Sequence, residues 1–186
     1  NHEIVPTDKD LGAFGLDNMN LDAIPKEDFY EFGKGVFPGL GGTTTLVFNE
    51  DTQEVEKEFL SLAGTYRNCA GGVMPWGSWV TCEEDVTKIG EFEGNIEKEH
   101  GYIFEVPATS EVMRTSPKPI KEAGRFNHEA VALDPKTGIL YMTEDRSDGL
   151  LYRFIPNTKN DLHSGGKLQA LAIKNGPKFD TRNWPE

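Results

Sequence analysis

The sequence predicts an all-β fold, a β-propeller of four-stranded antiparallel blades, with a β-sandwich as the alternative. Three observations point there. Strand-like runs are short and bounded by turn residues. The 186 residues include 20 Gly and 11 Pro, more than an average chain carries, as expected where a chain turns often. A weak internal repeat then groups the runs into units too small to bury a face alone, which is the signature of stacked blades.

The elements follow in order. Pro25-Lys26-Glu27-Asp28-Phe29-Tyr30 opens with Pro at a first-turn position and predicts a short helix. Residues 43–48, Thr-Thr-Thr-Leu-Val-Phe, predict a strand ending at Asn49-Glu50-Asp51. Val55, Phe59 and Leu62 fit a helix or a strand equally. Trp79-Val80-Thr81-Cys82 follows the turn Pro75-Trp76-Gly77, and residues 102–106 form a strand stopped by Pro107. Residues 130–133 and 139–142 flank Asp134-Pro135-Lys136-Thr137-Gly138 and predict a hairpin. Residues 150–155 stop at Pro156, and residues 168–173 predict a last strand. Residues 85–99 and 159–167 are polar and predict surface loops.

The repeat aligns Asn68-Cys69-Ala70-Gly71-Gly72 with Asn127-His128-Glu129-Ala130. It also sets Thr81-Cys82-Glu83-Glu84-Asp85 against Met142-Thr143-Glu144-Asp145, and residues 101–107 against residues 149–156. Asn1-His2-Glu3 followed by residues 42–48 makes a partial third copy. Three copies fill about half of a closed ring, so residues 1–186 read as part of a single propeller domain. The start at Asn1, without Met or a signal peptide, suggests a processed product or a fragment.

Composition narrows the function. With 19 basic and 31 acidic residues the net charge is −12, which argues against nucleic-acid wrapping and anionic membranes as partners. No apolar run reaches the ~18 residues that cross a bilayer. An acidic surface leaves two readings, mere solubility or cation binding.

The chemistry gathers at one end of each hairpin. Antiparallel pairing sets the start of one strand beside the end of the next. Cys69 therefore belongs near Cys82, Glu83 and Glu84, and Glu129 near Glu144 and Asp145. Crowded carboxylates repel unless a cation holds them, and oxygen-rich clusters suit Ca²⁺, whereas a thiolate suits a transition metal. The same residues also fit solvated strand-end charges. Cys69 and Cys82 fit a cross-hairpin disulfide as well as they fit metal ligation. His2, His100, His128 and His163 show no zinc spacing. No serine-hydrolase elbow, P-loop or dinucleotide fingerprint is present.

Residues 68–84, Asn-Cys-Ala-Gly-Gly-Val-Met-Pro-Trp-Gly-Ser-Trp-Val-Thr-Cys-Glu-Glu, carry a long and specific motif. Together with His100-Gly101-Tyr102, residues 124–130, residues 141–145 and Asn1-His2-Glu3, it resembles the PhoX family of calcium-dependent bacterial alkaline phosphatases. The resemblance implies a periplasmic or secreted β-propeller that hydrolyses phosphate monoesters at a cluster of Fe³⁺ and Ca²⁺. By motif, Cys69 would bind iron, and Glu3, Glu84, Glu129 and Glu144 would be carboxylate ligands, with Glu83 beside Glu84. Arg125 and Arg146 are the candidate phosphate contacts. Family members are much longer, so further ligands and the remaining segments of the polypeptide are the expected partners, and the isolated segment is expected to be inactive. A non-catalytic calcium-binding propeller module and a propeller lactone hydrolase with one divalent ion are the competing readings.

Overall fold

The computed structural model describes residues 1–5, 7, 8 and 11–174. After a small hairpin of β1 (Leu11–Gly12) and β2 (Gly15–Leu16), the strands are β3 (Gly42–Asn49), β4 (Glu54–Ala63), β5 (Asn68–Met74) and β6 (Ser78–Glu83). They continue with β7 (Ile103–Pro107), β8 (His128–Asp134), β9 (Ile139–Glu144), β10 (Leu151–Thr158) and β11 (Asp161–Ala170). Among the described residues, helical structure is confined to short 3₁₀ turns and one turn at Glu91–Gly94. The protein is all-β.

Strands β3 and β4 pair with each other, which settles the Val55, Phe59 and Leu62 segment as a strand. The main sheet has seven strands in the order β11-β10-β9-β8-β5-β6-β7. It consists of two antiparallel meanders, β5-β6-β7 and β8-β9-β10-β11, joined through their first strands by one parallel bridge, Gly71 to Ala130. The meanders are the two halves of the sequence repeat, and each carries the same irregularity. Cys69 faces Cys82 while Gly72 faces Val80, and His128 faces Glu144 while Val131 faces Met142. One extra residue on the first strand of each meander makes a β-bulge, which bends the strand end.

The joint needs glycine. A Cβ on Gly72 would lie 2.2 Å from the Val131 carbonyl oxygen, so only a bare backbone lets β5 approach β8. Beneath it one apolar cluster spans both meanders, with Met74, Val80, Cys82, Ile103, Leu140, Met142, Phe154 and Leu162 buried. Each such side chain contributes about 1.5–3 kcal/mol by leaving water. A second cluster of Tyr30, Leu62, Tyr102, Phe104 and Val106 is formed around β4 and β7.

Three sequence expectations are corrected here. Residues 159–167 are not a surface loop: β11 begins at Asp161, ahead of the expected start at residue 168. Its first half is polar and Gly-rich and so carries no strand pattern, yet Leu162 is fully buried and ladder pairing with β10 does the rest. The strand that was expected to stop at Pro156 runs to Thr158, because the irregularity between Pro156 and Thr158 absorbs the proline. The helix expected at Pro25 reduces to a 3₁₀ turn over Lys26–Asp28. The 85–99 segment is irregular, as expected, but Ile96 is buried, so it is not wholly surface.

Candidate metal centre

The bulged strand ends place the site. In the first meander the N–H of Glu84 donates to the Arg67 carbonyl, and in the second the N–H of Asp145 donates to the Asn127 carbonyl, both at 3.0 Å. Glu84 and Asp145 thus leave their strands through the same kind of backbone bond, and Cys69 and Glu129 each stand two residues beyond its acceptor. The N-terminal strap is pinned alongside: Asn68 N–H donates to the His2 carbonyl and Arg67 N–H to the Ile4 carbonyl, which delivers Glu3.

Five potential ligands converge. Glu3, Cys69 and Glu84 offer donor atoms within 4.8 Å of one another, and so do Glu84, Glu129 and Asp145. Glu84 belongs to both groups. The Cys69 thiol points at Glu129 Oε1, 3.2 Å away, and at Glu3 Oε2, 3.8 Å away. Both cysteines are free thiols, and Cys82 is packed in the core. Burial, and then the hydrogen bond to Glu129, pushes the Cys69 thiol up to about 12, so it is protonated and donating. Burial raises the Glu84 carboxyl to about 7, helped by its hydrogen bond with Asp145 and opposed by Arg67. Both shifts follow from burial and from crowding acidic groups together.

The donor chemistry fits the cations the resemblance implies. Carboxylate oxygens from four residues suit Ca²⁺, and the thiol among them suits iron once deprotonated. An open cleft of about 390 Å³ adjoins Glu84, lined by Arg67, Asp85, Lys88, Glu91 and Asn127. It is large enough for a small ester.

The structure thus brings together Glu3, Cys69, Glu84 and Glu129 of the expected set. Glu83 and Glu144 are turned away. Glu83 is fully buried and accepts hydrogen bonds from the backbone N–H groups of Tyr66, Gly101 and Tyr102 and from His100 Nδ1. Glu144 accepts from Leu150 N–H and from the Tyr152 hydroxyl. Successive strand residues face opposite sides, so each Glu-Glu or Glu-Asp pair gives one ligand candidate and one anchor. Arg125 is tied to the 85–99 segment, donating to the Val86 and Thr87 carbonyls and pairing with Glu99 at 2.9 Å. Arg146 pairs with Asp148 at the exposed turn after β9. Neither lines the cleft beside Glu84.

Sequence reasoning missed two residues at the site. Asp145 enters where Glu144 was expected; hairpin pairing set both beside Glu129, and it is Asp145 that joins the cluster. Arg67 reaches Glu3 at 3.3 Å and Glu84 at 3.2 Å through the same Nη2. Its side-chain type gave no signal.

Behind the site lies a second charged cluster. His100 is fully buried, its Nδ1 donates to Glu83 at 2.7 Å, and its Nε2 lies 3.7 Å from Glu31 Oε2, an ion-pair distance too long for a hydrogen bond. Tyr66 stacks on the imidazole, ring centroids 3.7 Å apart. Burial works against charge on His100, but Glu83, with Glu31 behind it, outweighs it and raises the imidazole to about 9. His128, beneath Glu129, is the opposite case: burial holds it neutral, down to about 4, with Nε2 facing the Gly124 carbonyl at 3.1 Å.

Repeated antiparallel meanders whose strand ends meet in a carboxylate–thiol cluster define a β-protein with a candidate cation-binding centre. The chain belongs to the PhoX alkaline phosphatase family, whose model matches residues 42–186. Among solved structures it is similar to Pseudomonas fluorescens PhoX in complex with vanadate, a transition state analogue, at 19% identity and a TM-score of 0.42. That similarity covers 69% of this chain and 31% of the other, so the chain spans about a third of that protein's length. Among curated proteins no match is found.

Proposed function

We propose that this chain supplies part of the active site of a metal-dependent phosphatase that hydrolyses phosphate monoesters, built on a β-propeller of which the two meanders are blades. Convergence of Glu3, Cys69, Glu84, Glu129 and Asp145 from three distant stretches of chain is the observation that carries the reading. Membership of the PhoX family supplies the reaction class. In this reading the carboxylates hold Ca²⁺ and Cys69 holds Fe³⁺, and bound metal supplies charge that polarises the phosphoryl oxygens of the ester. Cys69 must lose its proton to ligate, and Glu129 is the acceptor already hydrogen-bonded to it. Glu83 and Glu144 act one step back: by gripping backbone N–H groups they fix the strand ends from which Glu84 and Asp145 project. Arg67, Lys88 and Asn127 line the cleft in which the ester would lie.

The test is hydrolysis of p-nitrophenyl phosphate by the full polypeptide loaded with calcium and iron. The expected result is turnover that is lost on chelation and in Glu84→Gln, with little activity in residues 1–186 alone. Turnover indifferent to chelator refutes the reading. Tight calcium binding without turnover favours the non-catalytic module instead.

A further inference from the structure

We propose that Arg67 is a resident counter-ion of the candidate metal centre: it neutralises Glu3 and Glu84 in the cation-free protein and is displaced when a cation enters. The inference rests on the cation-binding reading above.

The geometry is that of a placeholder. An arginine that fixes a structure by ion pairing presents its fork, two parallel N–H groups at 2.7–2.9 Å, and is usually shielded from water. Arg67 instead touches both carboxylates through Nη2 alone, at 3.3 and 3.2 Å. Its side chain is 39% exposed, against 50% for Glu3 and 8% for Glu84. The contact is long, shared and open to water, so it yields easily.

The backbone is the reverse. Arg67 has φ +42, a left-handed conformation that a non-glycine residue adopts at a cost. It is held there from both sides, its N–H on the Ile4 carbonyl and its carbonyl on the Glu84 N–H. The fold thus fixes where the arginine starts while leaving its tip exchangeable. In the second meander the carbonyl that takes the corresponding strand-end N–H belongs to the neutral Asn127, whose amide donates to the Glu84 carbonyl at 3.1 Å. Only the meander that meets the Glu3 strap carries a cation at this place.

The oxygens Arg67 touches belong to residues in the two ligand groups. A divalent cation among Glu3, Cys69 and Glu84 would bring a second positive charge against the guanidinium, and like charges at that range repel. Entry of the cation therefore releases Arg67 toward the adjoining cleft. Binding is correspondingly weakened by the arginine it must displace.

Two variants of the full polypeptide, with calcium alone as the probe, test this. Arg67→Asn removes the charge and keeps a residue tolerated at positive φ, and Arg67→Lys keeps the charge. Melting temperature is measured in chelator and in saturating calcium, and the calcium dissociation constant by calorimetry. We expect Arg67→Asn to melt lower than wild type in chelator but close to it in calcium. It should bind calcium about tenfold more tightly, the scale of one partly exposed ion-pair network. Arg67→Lys should stay within about threefold of wild type. A dissociation constant in Arg67→Asn equal to or weaker than wild type overturns the proposal, as does equal loss of melting temperature in chelator and calcium. If wild type itself neither binds calcium nor shifts, the cation-binding reading fails first; a wild-type shift with unaltered Arg67→Asn affinity fails this proposal alone.

Discussion

Raising the pH from 6.5 to 9 should weaken the fold, chiefly through His100. Its imidazole is raised from the ordinary 6.5 to about 9 by Glu83 and Glu31, so the native state holds a proton that the unfolded chain has released. A group raised in this way contributes stability that is fully present below pH 6.5 and is lost as the pH rises through 9. At 1.36 kcal/mol per pKa unit the loss is on the order of 3 kcal/mol. With a urea dependence of about 2 kcal/mol per molar, the unfolding midpoint should fall by roughly 1.5 M across that range. The assay is urea unfolding of the full polypeptide at half-unit pH steps, in chelator so that cation binding does not add its own pH dependence. His100→Gln removes the proton acceptor and leaves Glu31 and Glu83 buried with backbone N–H donors but no positive partner. That variant should be weaker by about 3–5 kcal/mol at pH 7 and nearly flat from there to pH 9. A wild-type midpoint that stays constant or rises over this range would refute the assignment of a buried imidazolium. On the acid side the neutral His128 acts in the opposite sense: its contribution is present above pH 6.5 and fades toward pH 4. Glu84, raised to about 7, offsets part of that fall.

Two more expectations concern particular side chains. Cys69→Ser should abolish iron binding, read by metal analysis, and activity with it, whereas Cys82→Ser should keep both while costing about 1–2 kcal/mol of packing, since only Cys69 faces the carboxylates. Equal loss in both variants would count against the assignment of Cys69 as the ligand. Gly72→Ala forces a Cβ against the Val131 carbonyl at the junction of the meanders, so it should cost about 1–3 kcal/mol and weaken calcium binding together with stability. An unchanged melting temperature would show that the junction is looser than the structure gives it.

Where the sequence was legible, the reason is local chemistry. Turn residues and alternation mark β3, β6, β7, β8 and β9, and the repeated motif brings Cys69, Glu84 and Glu129 to neighbouring strand ends before any coordinates. What stayed hidden depends on the parity of a strand. Glu83 and Glu84 are adjacent, as are Glu144 and Asp145, and the member turned from the site is the one engaged by N–H groups of the neighbouring backbone. No composition signal marks a bulge at Cys69 to Gly72. Arg67 was invisible for another reason, because its role comes from a backbone conformation fixed by partners at residues 4 and 84. The first half of β11 was hidden because polar residues entered a ladder that their own propensity does not announce.

The two meanders meet through a single backbone bridge, yet their side chains share one cluster. Cys69 finds Glu3 across 66 positions of chain and Glu129 across 60. Contacts that distant close slowly, because the chain must give up loop freedom before they return anything. Each meander can form by short-range pairing, whereas the cluster exists only after the strap and both units have docked. The site is thus a late event in folding and a seal on it: whatever binds there ties the strap to both meanders, which the sheet itself bridges at one point.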